Sequence, residues 1–255
     1  PEKGLLGIDG LEVTAGSTTA TAGIRVVRSF PTFELIPFSG TSQLTAGRRD
    51  LLKFKVTAAP EGDIGIGKIT FRIATTSATA QLDMIANTNV YAFVDSGFST
   101  VATGIQSDGA LAQANLSAQR WASASTDLEI WAADSANAST TVVVPAGGVR
   151  YFVIRGDATL AGATYSVSTQ VQGDAKFASD LASGACCTTG GFPHTAASST
   201  YLATTTYLQA AGDNDFIWRP FSTTTAQSNL ANDFTNGYGL PGLPNTNTNT
   251  LSITQ

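Results

Sequence analysis

Between residues 50 and 58 apolar and polar side chains alternate. Leu52, Phe54, Val56 and Ala58 fall on one side of an extended chain, and Asp50, Lys53, Lys55 and Thr57 fall on or near the other. A period of two with charge on one side predicts a half-buried antiparallel strand. Residues 67–74 repeat the design with Ile69, Phe71 and Ile73 inward, and Pro60-Glu61-Gly62-Asp63 between them is a turn signal. Residues 24–30 read as a short β-branched strand that stops at Pro31, and Phe33 to Ile36 alternate in part between Pro31 and Pro37. Residues 90–94 form another strand. So do residues 128–131, which face inward at Leu128 and Ile130 or at Trp131, depending on register. Residues 141–144 and 149–155 flank Pro145-Ala146-Gly147-Gly148 and predict a hairpin, with Phe152 and Ile154 joining the core. Residues 164–171 close the series, Tyr165 and Val167 lying opposite hydroxyls. Residues 109–120 are the one moderately helical stretch.

About seven short strands at this spacing predict an all-β fold, an immunoglobulin-like antiparallel β-sandwich. Three regions follow. Residues 1–23 are an extended N-terminal arm. Residues 24–172 are the sandwich domain. Residues 173–255 are an irregular Thr/Asn/Gly-rich segment with too little apolar surface to fold alone, expected to lie on the sandwich or on a neighbour.

Composition narrows the function. Charged residues make up 13% of the chain, about half the usual share. Short hydroxyl and amide side chains must cover the surface instead, as in secreted adhesins, surface layers and filaments. A net charge of −5 repels a phosphate backbone, and Arg48-Arg49, the densest basic pair, is followed directly by Asp50, so no nucleic-acid partner is expected. No apolar run approaches the ~20 residues of a membrane-spanning helix. A chain opening on Pro1 fits removal of an export signal. The adjacent Cys186 and Cys187 can close a vicinal disulfide or bond to other chains, and an oxidising compartment favours an oxidised form.

Candidate chemistry is sparse. A nucleophilic site would have to use His194, the single histidine, with Cys187 seven residues earlier, and no orienting third group accompanies them. Glu2, Glu12, Glu34, Glu61 and Glu129 are scattered over arm, turn and strand, which argues against a glycosidase pair. Asp213, Asp215 and Asp233 offer oxygen ligands for calcium, but their spacing suits Asx-turn chemistry better. No metal or other cofactor is expected. Trp121, Trp131 and Trp218 could stack on cell-surface glycans if exposed, although tryptophans are more often core anchors. Asn115 and Asn137 head glycosylation sequons.

Three groups of segments together resemble repetitive surface proteins of candidate-phyla bacteria with very small cells. The first is Val26-Val27-Arg28-Ser29-Phe30-Pro31-Thr32. The second runs from Leu51 to Ala58 and continues in Gly62-Asp63-Ile64 and Lys68-Ile69-Thr70-Phe71. The third comprises residues 213–219, residues 232–238 and Leu240-Pro241-Gly242-Leu243-Pro244. The resemblance covers under half the chain. It implies β-sandwich modules of cell-surface layers or extracellular filaments, an extracellular place and a non-enzymatic role, and carries no catalytic residues. The arm fits that role. Leu6, Ile8, Leu11 and Val13, with Gly7 or Gly10 allowing a bulge between them, are the contact residues of a charge-poor stretch joined through flexible residues 15–23, the layout of a strand donated to another copy.

Overall fold

A computed structural model describes residues 27–38, 44–77, 85–103, 105, 107–111, 120–121, 126–131, 141–160, 165–174, 215–220, 237–243 and 251–254. Eleven strands run through them: β1 (Pro31–Leu35), β2 (Gly47–Ala58), β3 (Ile64–Ser77), β4 (Ile85–Phe93), β5 (Arg120–Trp121), β6 (Thr126–Trp131), β7 (Val142–Val144), β8 (Val149–Ala158), β9 (Tyr165–Val171), β10 (Phe216–Pro220) and β11 (Leu251–Thr254). All pairings are antiparallel and form two sheets. One has the order β1-β2-β8-β4-β5, and the other is built on β3. Along one edge of β3, Ile64 to Ile69 pair with β10 and Phe71 to Ser77 with β9; along the other, Ile64 to Ile66 pair with β7 and Lys68 to Ile73 with β6. β11 extends the sheet from β9. The all-β class read from the sequence is therefore what the structure has, with more strands than the alternation marked. The finer immunoglobulin-like assignment is not carried by this strand order.

The alternation placed the core. Leu52, Phe54, Val56, Ile69, Phe71, Ile73, Phe152 and Ile154 are all buried in one cluster that both sheets share. Phe54 of β2 stacks on Phe33 of β1 and Phe152 of β8, with both ring centroids 4.9 Å away, and reaches Phe71 of β3 at 6.2 Å in the opposite sheet. Ile130 is buried, which fixes the register of β6. Phe216, Trp218, Leu240 and Leu243 enter the same cluster from beyond residue 173.

Three local readings are corrected. The pair expected as a hairpin, β7 and β8, lies in different sheets: β7 pairs with β3, and β8 with β2 and β4. The intervening turn, closed by Gly148 N–H donating to the Pro145 carbonyl at 2.7 Å, is an arch between sheets. Its outward groups bind the β2–β3 connection. Gly147 N–H donates to the Ala59 carbonyl at 3.2 Å, and Ala146 N–H to Asp63 Oδ1 at 2.8 Å. A period of two looks the same in a ladder and across a core, so alternation alone could not separate them. Val27 to Phe30, read as a strand, lie outside any ladder; the strand begins at Pro31. Pro31 has no N–H to donate, which an edge strand tolerates at its first residue. The helical reading of residues 109–120 fails at both ends. Ala110 bridges to Tyr91, Leu111 N–H donates to the Val90 carbonyl at 2.8 Å, and Arg120 pairs with Ala86.

Asp174 ties the later segments to the sandwich. Its carboxyl accepts hydrogen bonds from Asp215 N–H at 2.7 Å, Phe216 N–H at 3.2 Å and Gly237 N–H at 2.6 Å. Nothing larger than glycine fits at 237, where a Cβ would sit 2.5 Å from Leu243 Cδ2 and 2.9 Å from Asp174 Oδ2. Burial pushes the Asp174 carboxyl up to about 7; the three amide donors oppose this, and the nearby Asp215 charge adds to it.

Phe71→Ala should cost about 3–5 kcal/mol in denaturant melts, as large truncations in a packed core do. A loss below about 1 kcal/mol would place Phe71 at the surface. Asp174 gives a pH test. Unfolded, its carboxyl titrates near ~3.9; folded, it keeps its proton up to about 7. Between these values the native state binds more protons than the unfolded one, so this group's contribution to stability falls as pH rises from about 4 to about 7, then levels. Urea melts across that window should show the decline, on the order of a few kcal/mol in total, and Asp174→Asn should flatten it. An unchanged slope in the variant would assign the pH dependence elsewhere.

Candidate functional site

Most residues singled out by sequence lie outside the described residues: Leu6, Ile8, Leu11 and Val13 of the arm, Cys186 and Cys187, His194, Asn115 and Asn137, and Asp213 and Asp233. Asp215 is described. Its backbone is built into the sheet, its N–H bound to Asp174 and its carbonyl accepting from Thr70 N–H at 2.8 Å. Among the described residues no three His, Cys, Asp or Glu side chains come together as a metal site. Trp218 is 1% exposed and belongs to the core, which removes it as a sugar platform. Trp121 and Trp131 lie in β5 and β6.

Two kinds of surface remain, and the first is the outer face of the five-stranded sheet. A register shift between Asp50 and Leu52 lets β2 set Asp50 beside Lys53, 2.9 Å apart, while Arg155 of β8 reaches the same carboxylate at 2.9 Å. Burial opposes ionisation of Asp50, but Lys53 and Arg155 outweigh it and hold the carboxyl below its ordinary range. Rings cover the two cations. Lys53 Nζ lies 4.9 Å from the Phe98 centroid and 5.5 Å from Phe38; Arg155 lies 5.1 Å from Tyr91 and 5.6 Å from Phe93. Arg48 extends the row, 3.0 Å from Asp157 and 5.6 Å from the Tyr91 ring.

Phe98 is held over this face by its loop. It has φ of 56°, a left-handed conformation unusual for a side chain of its size. Asp95 fixes the turn, accepting from Thr100 N–H at 2.6 Å and Ser99 Oγ at 3.0 Å, and the Thr100 bond is the main reason its carboxyl titrates low. The Phe98 ring meets Phe93 at 5.8 Å and Tyr151 at 6.1 Å, both edge-on. The result is an ordered mosaic of rings and paired charges, suited to contact rather than to proton transfer. Sequence alternation marked Lys53 and Lys55 as outward but missed the mosaic, because the contacts that join its parts, such as Arg48 with Asp157 and Asp50 with Arg155, link stretches 109 and 105 positions apart. The other sheet offers no comparable face along β3 and β10: Lys68, Thr70, Ile217 and Arg219 are all buried.

The second kind of surface is the sheet edge. The β1 edge is closed by the chain itself. Phe33 N–H donates to the Pro241 carbonyl at 2.9 Å, and Gly242 lies so close that a Cβ there would meet the Phe33 oxygen at 1.8 Å. In the second sheet, β6, β7, β10 and β11 each pair with one strand among the described residues. β11 lies on β9 over Ser166 to Thr169, in the register Leu251↔Thr169 and Ile253↔Val167.

No family model matches this chain, and no curated protein matches it. Two solved structures show limited likeness. One combines the manganese lipoxygenase of Gaeumannomyces graminis with a partial structure of zonadhesin of Komagataella pastoris, at 11% identity over 57% of this chain and 41% of that one, with a TM-score of 0.21. The other is the serine-rich repeat protein Srr2 of Streptococcus agalactiae, at 9% identity over 55% and 39%, with a TM-score of 0.18. The chain thus spans under half the length of either. Likeness at these scores carries no argument about fold or function.

Proposed function

We propose that the chain is a structural, non-enzymatic subunit of an extracellular filament or surface layer, assembled by strand addition between copies. The observation behind this is the periphery of the second sheet, where β6, β7 and β11 each have one paired neighbour among the described residues. An exposed ladder edge recruits other strands, and natural folds leave one open at a cost unless a partner uses it. The donor is the arm, with Leu6, Ile8, Leu11 and Val13 as its contact residues and a bulge at Gly7 or Gly10 bringing them to one face. Backbone hydrogen bonds give such a contact affinity, and the alternate side chains give it specificity. A head-to-tail contact repeats into an open fibre or lattice unless rotation closes it into a ring. The chemistry of the described acids agrees: Asp50, Asp157 and Glu34 are in ion pairs, and Asp63, Asp95 and Asp174 hold backbone amides.

A second reading, an adhesive or carbohydrate-binding module, draws on the mosaic, where Phe98 and Tyr151 are partly exposed. Sugar rings stack on such faces, and Phe98→Ala should then abolish binding to a glycan panel without altering assembly.

Removing residues 1–14 separates the arm from the sandwich. The truncated protein should keep its β-sheet circular dichroism, remain monomeric in sedimentation velocity and form no fibres or sheets in electron micrographs, where the full chain does. Normal assembly without the arm would show that the connector lies elsewhere.

A further inference from the structure

Resting on the strand-addition reading, we infer that β11 is an internal stand-in for the arm: it occupies the β9 edge within one subunit, and the arm of a neighbouring copy displaces it. β11 sets Leu251 opposite Thr169 and Ile253 opposite Val167, two residues buried on the core side of β9. Its four residues are Leu251-Ser252-Ile253-Thr254, and the arm carries the same apolar spacing in Leu6-Gly7-Ile8-Asp9. Placed in the β11 register, Leu6 falls opposite Thr169 and Ile8 opposite Val167. The apolar arm stretch, residues 5–13, is longer than β11 and can run the seven-residue length of β9. A longer strand with the same apolar pair adds ladder bonds that the four-residue strand cannot make.

The link to β11 suits exchange. Leu243 is anchored in the core and Leu240 beside it, whereas residues 245–250, Asn-Thr-Asn-Thr-Asn-Thr, are all polar in sequence. Tethered through so short a polar link, β11 competes at an effective concentration on the order of millimolar. A lone subunit therefore covers its own edge, and growth starts only where an arm outcompetes the tether. The β9 edge is thus both the acceptor for a second copy and the point of autoinhibition.

A reversible lock tests this. Ser168 and Ser252 are opposite in the ladder. In a background with Cys186→Ala and Cys187→Ala, the full chain carrying Ser168→Cys and Ser252→Cys would be oxidised to staple β11 to β9. The probe is a fluorescent peptide of residues 4–14, titrated into full chains whose own arm is disabled by Leu6→Asn and Ile8→Asn. The peptide should bind the reduced protein, fail to bind the stapled one and bind again on reduction. Leu251→Asn with Ile253→Asn, which loosens β11, should tighten it about tenfold or more, because a tethered competitor is removed. Binding that ignores both the staple and the loosened strand overturns the inference, as does binding weakened by loosening β11, which would mean that the arm adds outside β11. Sedimentation of the unmodified chain reports separately on assembly. A monomer that still binds the peptide in a staple-sensitive way retains the inference and removes the filament.

Discussion

Phe54 stands where the two sheets meet. Its ring stacks on Phe33 and Phe152 within its own sheet and approaches Phe71 across the interior. Each sheet has an apolar side, carried by β2 and β8 in one and by β3 and β9 in the other, and neither can leave that side in water; their mutual burial is the constraint from which the rest follows. The arches at 59–63 and 145–148 exist because consecutive strands must face each other across this interior. Segments distant in sequence are recruited to finish it: Phe216 and Trp218 from β10, and Leu240 and Leu243 from the turn beyond.

Completing the core from distant segments raises a polar problem, and Asp174 answers it. Bringing β10 and the 237–243 turn against the end of β9 buries amide donors that no strand can satisfy, and one carboxyl accepts three of them. The second sheet is consequently fixed along β3 while its periphery stays a set of short strands. Side chains hold the interior, and the main-chain ladders set the order of the strands around it.

On the five-stranded sheet the outer face follows another rule. A chain poor in charge pairs its cations with acids and covers them with rings, so Lys53 and Arg155 share Asp50 beneath Phe98, Phe38, Tyr91 and Phe93. The strained turn at Phe98 is held by Asp95 and places a ring where the strands alone would not.

By itself the sequence determined what is local. Period-two alternation named the strands β2, β3, β8 and β9 and the eight central core residues, because which side of a strand is apolar depends only on residues two apart. It also marked the turns at 60–63 and 145–148. Which sheet each strand joins was decided by tertiary structure, since a ladder partner and a facing partner demand the same alternation; β7 and β8 were misassigned for that reason. Val27 to Phe30, although they continue a stretch with β-branched residues, lie outside any ladder, and residues 109–111 and 120 were drawn into edge pairing with β4 against a weak helical pattern. The buried Asp174, the ring-and-charge mosaic and the β11 register all join residues tens of positions apart. Their energies come from burial and geometry that exist only once the two sheets have closed on each other.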